Sequence, residues 1–270
     1  MSYYRRLLTG CLVLVPALLL PLGSRAASLT DIKGRGWMRV CAHPDALPFS
    51  SQDRAQPGFQ LEIADAIAKS LGVKVIPEWI VYTRHARRAE CDAMIGAVVP
   101  LTAEDRPAGS GRGGVLMTKV YAGSGYVLLV PQADTAVHRV EDVKGKGGKI
   151  GVEYSSWPHY QLETHGVGIT AYRDQTEIIE AVAKGEVAAG MVTDPYLGWF
   201  LKEHPGTAVK VADGYVRDPD LQWNIAVRLI NADPPLRDAV NQVLDRMLAE
   251  RTLQDILAKY GLTYQPPFMR

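Results

Sequence analysis

This sequence of 270 residues has almost no net charge, few aromatic residues and few cysteines. The 30 lysines and arginines nearly balance the 29 aspartates and glutamates, so the chain lacks the basic face that nucleic-acid binding requires. Aromatic residues make up 8%, and there are three cysteines. The six histidines form no close pair beyond His159 and His165, whose spacing does not suit two ligands on one helix face. We therefore expect an ordinary folded protein with no metal site and no nucleic-acid partner.

The sequence also lacks the short motifs that mark common active sites. It contains no G-x-S-x-G turn, no H-E-x-x-H helix and no P-loop. Segment 109–114 fits G-x-G-x-x-G in form, but it follows Arg106-Pro107 instead of a strand, so we interpret it as a loop. No spacing of Asp, Glu or His singles out an acid–base pair. We therefore expect a non-catalytic protein without a cofactor.

The first 26 residues have the order of a secretory signal peptide. Arg5 and Arg6 precede an apolar stretch over 7–22, and the small residues Ser24 and Ala26 fit the −3 and −1 positions of a cleavage site. The apolar stretch contains two prolines, and it is shorter than a membrane-spanning helix, which needs about 20 apolar residues. We therefore predict export to the periplasm. Cleavage removes three arginines and no acid, which changes the net charge from +1 to −2.

Export leaves one pair of cysteines, Cys41 and Cys91, in an oxidising compartment, which favours a disulfide. The expected register of the strands argues against a disulfide. If their strands are parallel neighbours, Cys41 lies opposite a residue two or three positions beyond Cys91, and a bridge needs Cα atoms within about 7 Å. A Cys41–Cys91 disulfide and two free thiols both stay open.

Hydrophobic periodicity predicts strands that alternate with helices in two successive units. In the first unit we predict strands at 38–42, 73–79 and 93–99 and helices at 58–71 and 83–90. In the second we predict strands at 126–130, 149–153, 187–193, 208–211 and 222–228, and helices from 174 to before Gly185, at 195–203, 233–248 and 252–260. Pro77 predicts a sheet edge for the strand at 73–79.

Two units of about 90 residues, followed by helices without strands of their own, predict two lobes. The closing helices would pack on the first unit, so the chain would cross between the lobes twice. We predict a signal peptide at 1–26, lobe 1 at 27–124 plus 222–270, and lobe 2 at 125–221. Each lobe would be α/β, with a mainly parallel sheet, flanking helices and a ligand cleft between the lobes at the carboxyl ends of the strands.

Segments along nearly all of the mature chain resemble family 3 periplasmic solute-binding proteins, which have the type II periplasmic binding protein fold. The segments are 38–42 (MRVCA), 47–50 (LPFS), 58–64 (GFQLEIA), 91–96 (CDAMIG), 140–145 (VEDVKG), 150–152 (IGV), 178–189, 194–195 and 224–228 (NIAVR). Their order along the chain makes the resemblance specific for the fold.

Within that family, further segments are similar to the binding protein associated with quinoprotein alcohol (methanol) dehydrogenases, the MoxJ/XoxJ type. They are VCA at 40–42, CD at 91–92, Tyr121 with SGY at 124–126, PYLGWF at 195–200 and ILAKYG at 256–261. The resemblance implies a periplasmic accessory protein whose partner is a pyrroloquinoline-quinone dehydrogenase.

The chain departs from the amino-acid binders of this family where they hold their ligand. The acid that holds the α-ammonium after strand one is replaced by His43, with Asp45 two residues on. Arg106 is displaced from the position that grips the α-carboxylate, and the second-lobe anion loop is a bulkier segment at 154–158. Asp194 stands where the family often keeps an acid. The resemblance therefore implies an apolar, aromatic cleft without the usual clamps for a zwitterion.

The candidate ligand-binding residues are His43, Asp45, Phe49, Tyr121, Tyr126, Ser155, Ser156, Trp157 and Asp194. Several have plainer interpretations that stay open. Ser155 and Ser156 fit a helix N-cap, and His43 fits an exposed loop. For Asp194-Pro195, a cap with proline at N1 is the favoured interpretation.

Three functions stay open. The first, which we favour, is a non-catalytic periplasmic accessory of a quinoprotein dehydrogenase, which uses its cleft to bind a small molecule or a segment of its partner. The second is the solute-binding subunit of an ABC importer, with a permease as partner. The third, and least supported, is a dehydratase-like enzyme with Asp194 or Glu153 as the proton-transfer group.

Overall fold

The computed structural model describes residues 28–81, 89–101 and 115–269. The predicted signal peptide, most of the predicted helix at 83–90, Arg106 and the loop at 109–114 lie outside these ranges. Across the described ranges, no helix combines the length and apolar character needed to cross a membrane.

Strands and helices alternate as the periodicity predicts. The elements up to the first crossing are α1 Leu29–Arg35, β1 Trp37–Ala42, β2 Asp45–Ala46, β3 Ser50–Ser51, α2 Phe59–Leu71, β4 Lys74–Trp79, β5 Ala93–Pro100, β6 Leu116–Met117 and β7 Ala122–Pro131. The remaining elements are α3 Val140–Gly145, β8 Ile150–Glu153, α4 Trp157–Thr164, β9 Ile169–Tyr172, α5 Gln175–Ala183, β10 Ala189–Thr193, α6 Asp194–Glu203, β11 Val209–Val211, β12 Gln222–Leu229, α7 Pro234–Ala249 and α8 Thr252–Lys259.

The strands form one mixed sheet in the order β4-β1-β5-β12-β7-β10-β8-β9, with β6 beside β12 and β11 beside β7. The outer strands are parallel, as in the pairs β1–β4, β1–β5, β8–β9 and β10–β8. The two central strands are antiparallel to their neighbours. The predicted α/β lobes with mainly parallel sheets are therefore confirmed, within a sheet that is mixed overall because the two central strands are antiparallel to their neighbours. Pro77 lies in β4, at the sheet edge, as predicted.

Strands β7 and β12 join the two lobes. Residues 122–125 of β7 pair with residues 222–225 of β12. Beyond this shared segment, β7 pairs with β10 and β11 and β12 pairs with β6, while the other edge of β12 pairs with β5 over residues 223–229. The two strands are therefore the connections through which the chain crosses from one lobe to the other.

Separate hydrophobic cores lie on the two sides of the crossing strands. One core contains residues from β1, α2, β5 and the closing helices α7 and α8, including Ile63, Ile67, Val240 and Leu257. Two further clusters contain residues between 127 and 221. The closing helices thus pack on the first unit, which confirms the predicted two-lobe α/β architecture. The exact bounds of the lobes stay a prediction.

Cys41 and Cys91 form a disulfide with their Cα atoms 5.5 Å apart. The strand register is the expected one, because Cys41 lies opposite Met94, three positions beyond Cys91. The bridge forms because Cys91 precedes β5, where Asp92 binds Arg39 of β1. The Asp92 backbone N–H donates to the Arg39 carbonyl at 2.9 Å, and its carboxylate accepts from the Arg39 N–H at 2.7 Å. The same carboxylate forms an ion pair with Arg35.

Periodicity missed seven of these elements, namely the helices α1, α3 and α4, the strand β9 and the two-residue strands β2, β3 and β6. Helix α4 shows why. Its buried residues are Pro158 and Leu162, so no apolar stripe extends over its length. Sequence spacing therefore gave no signal for this helix beyond the serine cap at its start.

Candidate functional site

A cavity of about 410 Å³ lies between the lobes, beside the crossing strands. Both lobes and both crossing strands contribute to its wall. The lining includes Phe49, Phe59, Gln60, Ile63 and Val98 from lobe 1, Thr193, Asp194, Leu197, Leu201 and Arg217 from lobe 2, and Tyr121, Ser124 and Trp223 from the crossing strands or next to them. A volume of this size suits a small organic ligand.

The N-terminus of α2 builds the aromatic wall of the cavity. The Phe49 and Phe59 rings lie 5.4 Å apart between centroids. Backbone N–H groups of the first turn donate to the preceding loop, with Gln60 N 3.0 Å from Phe49 O. Gly58 has φ +90°, and a Cβ there would lie 2.5 Å from the Phe49 carbonyl oxygen. Glycine at position 58 therefore allows the loop and helix to approach closely enough to place both rings in the cavity.

Asp194 lies where β10 meets α6 and holds three hydrogen bonds across the crossing strands. Its Oδ1 accepts from Ser124 Oγ at 2.7 Å and from the Gly125 N–H at 3.3 Å, and its Oδ2 accepts from Arg217 Nη2 at 2.9 Å. Burial raises the pKa of this carboxyl above its ordinary value, and the Arg217 charge and the hydrogen bonds oppose that shift.

The capping interpretation of Asp194-Pro195 is wrong by one residue. The N-cap of α6 is Thr193, which makes no side-chain capping bond, and Asp194 is already inside the helix. Its carboxylate accepts from Ser124, Gly125 and Arg217 instead, because these donors lie within hydrogen-bond distance of it.

Tyr121 lies just before β7 and is only 2% exposed. Its backbone N–H donates to Ile225 O at 2.8 Å, and its carbonyl accepts from the Tyr264 hydroxyl at 3.1 Å. The Tyr121 hydroxyl itself makes no hydrogen bond of ordinary geometry with any described residue. Burial raises its pKa far above 10, and the nearby N–H of Gly96 offsets part of that shift. The phenol is therefore protonated, and its oxygen is buried, although Tyr121 contributes other atoms to the cavity wall.

Gln60 follows Phe59 in the first turn of α2 and lies against Gly96 of β5. Gly96 has φ +78°, and a Cβ there would collide with the Gln60 amide nitrogen. The strand pairing between β5 and β12 is irregular next to this glycine. Both the glycine and the glutamine line the cavity. This contact places the side-chain amide of Gln60 in the part of the cavity wall that lies near Tyr121.

Of the nine predicted ligand-binding residues, Phe49, Tyr121 and Asp194 line this cavity. The other six are placed elsewhere. His43 accepts at Nδ1 from the backbone N–H of Asp45 at 3.0 Å, within a local turn. Tyr126 packs against Trp223 at 5.5 Å between centroids but does not itself line the described cavity, and burial raises its pKa to about 12.

The remaining three predicted residues lie at the start of α4. Ser156 is the N-cap and accepts from the His159 N–H at 3.3 Å, as the capping interpretation predicts. Ser155 has φ +60°, and Trp157 is 54% exposed. None of the three lines the described cavity. Sequence reasoning missed Phe59, Gln60, Arg217 and Trp223. Phe59 and Gln60 lie in the segment at 58–64, which resembles the family and could have indicated them as cavity residues.

Comparison with known protein families shows to which family the chain belongs. The family model described as bacterial extracellular solute-binding proteins, family 3, matches residues 38–263. The chain belongs to this family. The match includes both lobes, both crossing strands and the cavity between them.

Curated relatives of this family 3 protein include a probable amino-acid-binding protein, YxeM, of Bacillus subtilis, which is 25% identical over 232 residues, or 83% of each chain. The L-cystine-binding protein TcyJ of Escherichia coli K12 is 25% identical over 240 residues, which are 86% of this chain and 85% of that protein. Among solved structures, the unliganded, open L-cystine solute receptor of Neisseria gonorrhoeae has a TM-score of 0.70 at 17% identity, with 89% of this chain and 99% of that chain covered. These relatives are binding proteins, and the family is extracellular by description.

Proposed function

We propose that this protein is the solute-binding subunit of an ABC importer and that it captures a small organic solute between its lobes. The observation that supports this most directly is the cavity of about 410 Å³ with walls from both lobes. A ligand in that position would stabilise the closed arrangement of the lobes over the open one. The cystine- and amino-acid-binding names of the curated relatives point the same way.

We also propose the remaining sequence-based assignments as parts of this function. The protein would be exported through the segment at 1–26 and would present its closed form to a permease in the membrane. Lobe 1 would comprise 27–124 plus 222–270, and lobe 2 would comprise 125–221. The three hydrophobic clusters, one in lobe 1 and two in lobe 2, and the crossing at 122–125 and 222–225 support these bounds.

A second candidate is the accessory role for a quinoprotein dehydrogenase. It is supported by the segments similar to that branch, several of which lie at the cavity, including Tyr121 and the start of PYLGWF at 195–200. In that case the cleft would hold a small molecule or a segment of the dehydrogenase. The dehydratase-like role has less support, because Glu153 lies outside the cavity lining and both oxygens of Asp194 are engaged.

The test is a thermal-shift screen of the purified chain against amino acids, including L-cystine, and neutral organic solutes. A solute at 100 times its Kd stabilises by about 2.7 kcal/mol, which corresponds to a rise in Tm of about 5–10 °C for a chain of this size. Small-angle scattering on the same samples measures whether the lobes close.

A matched pair of variants localises the binding. Val98 lines the cavity and is 57% exposed, so Val98→Trp adds bulk at the site with little effect on the core. Val216 is 85% exposed and does not line the cavity, so Val216→Trp is the control. We expect V98W to abolish the ligand-induced shift and V216W to retain it. Absence of any solute shift, together with tight binding of a purified quinoprotein dehydrogenase in biolayer interferometry, would favour the second candidate.

A further inference from the structure

The segment that follows α8 lies across both crossing strands. Residues 262–268, which we call the C-terminal strap, contain no helix or strand and contact β7 and β12 where these two strands pair. The Gly123 N–H donates to the Gln265 carbonyl at 2.9 Å. Asn224, which lies opposite Gly123 in the strand register, accepts at Oδ1 from the Phe268 N–H at 2.8 Å and donates from Nδ2 to the Phe268 carbonyl at 3.1 Å. The strap is therefore bonded to both crossing strands at the same level of the sheet.

The strap provides hydrogen-bond partners that the sheet does not provide at the crossing. Strand β10 pairs with β7 from Tyr126 onward, so it does not reach Gly123. The Gly123 N–H bonds to the strap instead, as a buried backbone donor requires. Asn224 is 4% exposed, and both ends of its side-chain amide bond to the backbone of Phe268. Without the strap, these polar groups of the crossing strands would lose their partners.

The strap also packs directly on the backbone of β7. A Cβ at Gly123 would lie 2.7 Å from the Pro266 carbonyl oxygen and 2.8 Å from a ring carbon of Phe268. Glycine at position 123 therefore allows a contact that a larger residue would prevent. Because packed groups resist deformation, a bend of β7 at this point would have to move the strap or separate it from the strand.

Helix α6 of lobe 2 contacts lobe 1 where the strap begins. A Cβ at Gly261 would lie 2.6 Å from the Gly198 carbonyl oxygen of α6. The Trp199 and Tyr260 rings lie 5.9 Å apart between centroids, and Trp199 packs against the core of lobe 1. The strap thus starts at a contact between the lobes and ends on the strands that connect them.

We propose that the C-terminal strap is a conformational restraint that keeps the crossing strands in the bend that forms the cavity. Thr263 and Gln265 of the strap line that cavity, so the bonded strap and the formed cavity occur together. Release of the strap from Gly123 and Asn224 would let the crossing strands bend and the lobes separate. The benefit for solute capture, namely a cavity that is formed before the solute arrives, rests on the proposed function, whereas the restraint itself does not.

A matched pair of truncations tests the restraint without any solute. A chain that ends at Pro266 loses Phe268, whereas a control chain that ends at Phe268 loses Met269, which is 97% exposed, and Arg270. Small-angle scattering measures the separation of the lobes, and hydrogen exchange measures the protection of the amides at 122–125. We expect the shorter chain to have a larger radius of gyration and about tenfold faster exchange at the crossing, and the control to match the full chain.

A point substitution tests the same bonds with the chain end intact. Asn224→Ala removes both side-chain bonds to Phe268, and Gln222→Ala, two positions earlier in β12, is the control. We expect N224A to enlarge the full chain as the truncation does, and to add nothing in the chain that ends at Pro266, because both changes break the same contact. If the truncated chain shows no cooperative urea transition, the comparison of N224A with Q222A decides the matter.

Two results would overturn the proposal. The first is unchanged scattering in N224A and in the truncated chain, even with faster exchange, because the strap would then protect the strands without restraining the lobes. The second is an additive effect of N224A and the truncation, because Asn224 would then act independently of the strap. Either result leaves the proposed solute binding in place. A failed solute screen, in turn, removes that function and leaves the restraint to be judged by its own measurements.

Discussion

Reduction of the Cys41–Cys91 disulfide should lower the free energy of unfolding by about 4 kcal/mol. The two cysteines are separated by 50 residues in the sequence. Closing a loop of that length in the unfolded chain removes an entropy of about 14 cal/mol/K, which is about 4 kcal/mol at 25 °C. For a chain of this size the corresponding fall in Tm is about 8–16 °C.

The native state should survive reduction. Cys41 and Cys91 are 6% and 4% exposed, so two thiols would stay packed in the same place. The hydrogen bonds and the ion pair of Asp92 with Arg39 and Arg35 also hold β1 to the chain that enters β5. The loss should therefore appear as a lower midpoint in a single cooperative transition, because its main source is the unfolded chain.

The assay is urea denaturation followed by tryptophan fluorescence, with and without a thiol reductant. The control is the double variant Cys41→Ala, Cys91→Ala, which should unfold near the midpoint of the reduced protein and should not respond to the reductant. If oxidised and reduced protein unfold within about 0.5 kcal/mol of each other, loop-closure entropy is not what this bridge contributes, and the reasoning fails.

Two further predictions concern the contact between the lobes and the buried carboxyl. A Cβ at Gly198 of α6 would lie 2.6 Å from the Gly261 carbonyl oxygen, so Gly198→Ala should destabilise by about 1–3 kcal/mol in urea denaturation despite its better helix propensity. Gly145 has open space around its Cα, so Gly145→Ala is the matched control and should change stability by less than about 1 kcal/mol. Because burial raises the pKa of Asp194 above its ordinary value, the folded state binds its proton more tightly, and stability should fall as pH rises from about 4 through the raised pKa. Asp194→Asn should remove that part of the pH dependence; a gain in stability of the wild type relative to D194N as pH rises would contradict the sign of the shift.

The fold was largely predictable because its main elements have simple periodic signals. Phe59, Ile63, Ile67 and Leu71 recur every four residues, and they form the buried face of α2 as expected. Gly72 then takes the left-handed conformation that ends the helix. Signals of this kind depend only on neighbours along the chain, so the sequence contains them in full.

The centre of the sheet and much of the site were not predictable in the same way. Antiparallel pairing between β7 and β12 joins segments about 100 residues apart, and local periodicity does not distinguish it from parallel pairing. Arg217 lies in a loop 23 positions from Asp194, with no motif that links them. The Tyr121 hydroxyl is notable only because it is buried with no acceptor among the described residues. Each of these features depends on the tertiary arrangement.

Asp194 shows why membership in a family does not transfer a ligand. Its position was predictable, because the segment at 194–195 resembles the place where the family often keeps an acid. The chemistry available there was not, because it depends on the donors that the fold brings to the carboxylate. In this chain Ser124, Gly125 and Arg217 donate to the carboxylate and Arg217 balances its charge, so an ammonium group would gain less from the acid than from an unpaired carboxylate. The Asp194 carboxylate can therefore serve to hold the start of α6 to β7 instead of selecting a charged solute. The ligands of the curated relatives are hypotheses to test for this protein and not properties that it inherits.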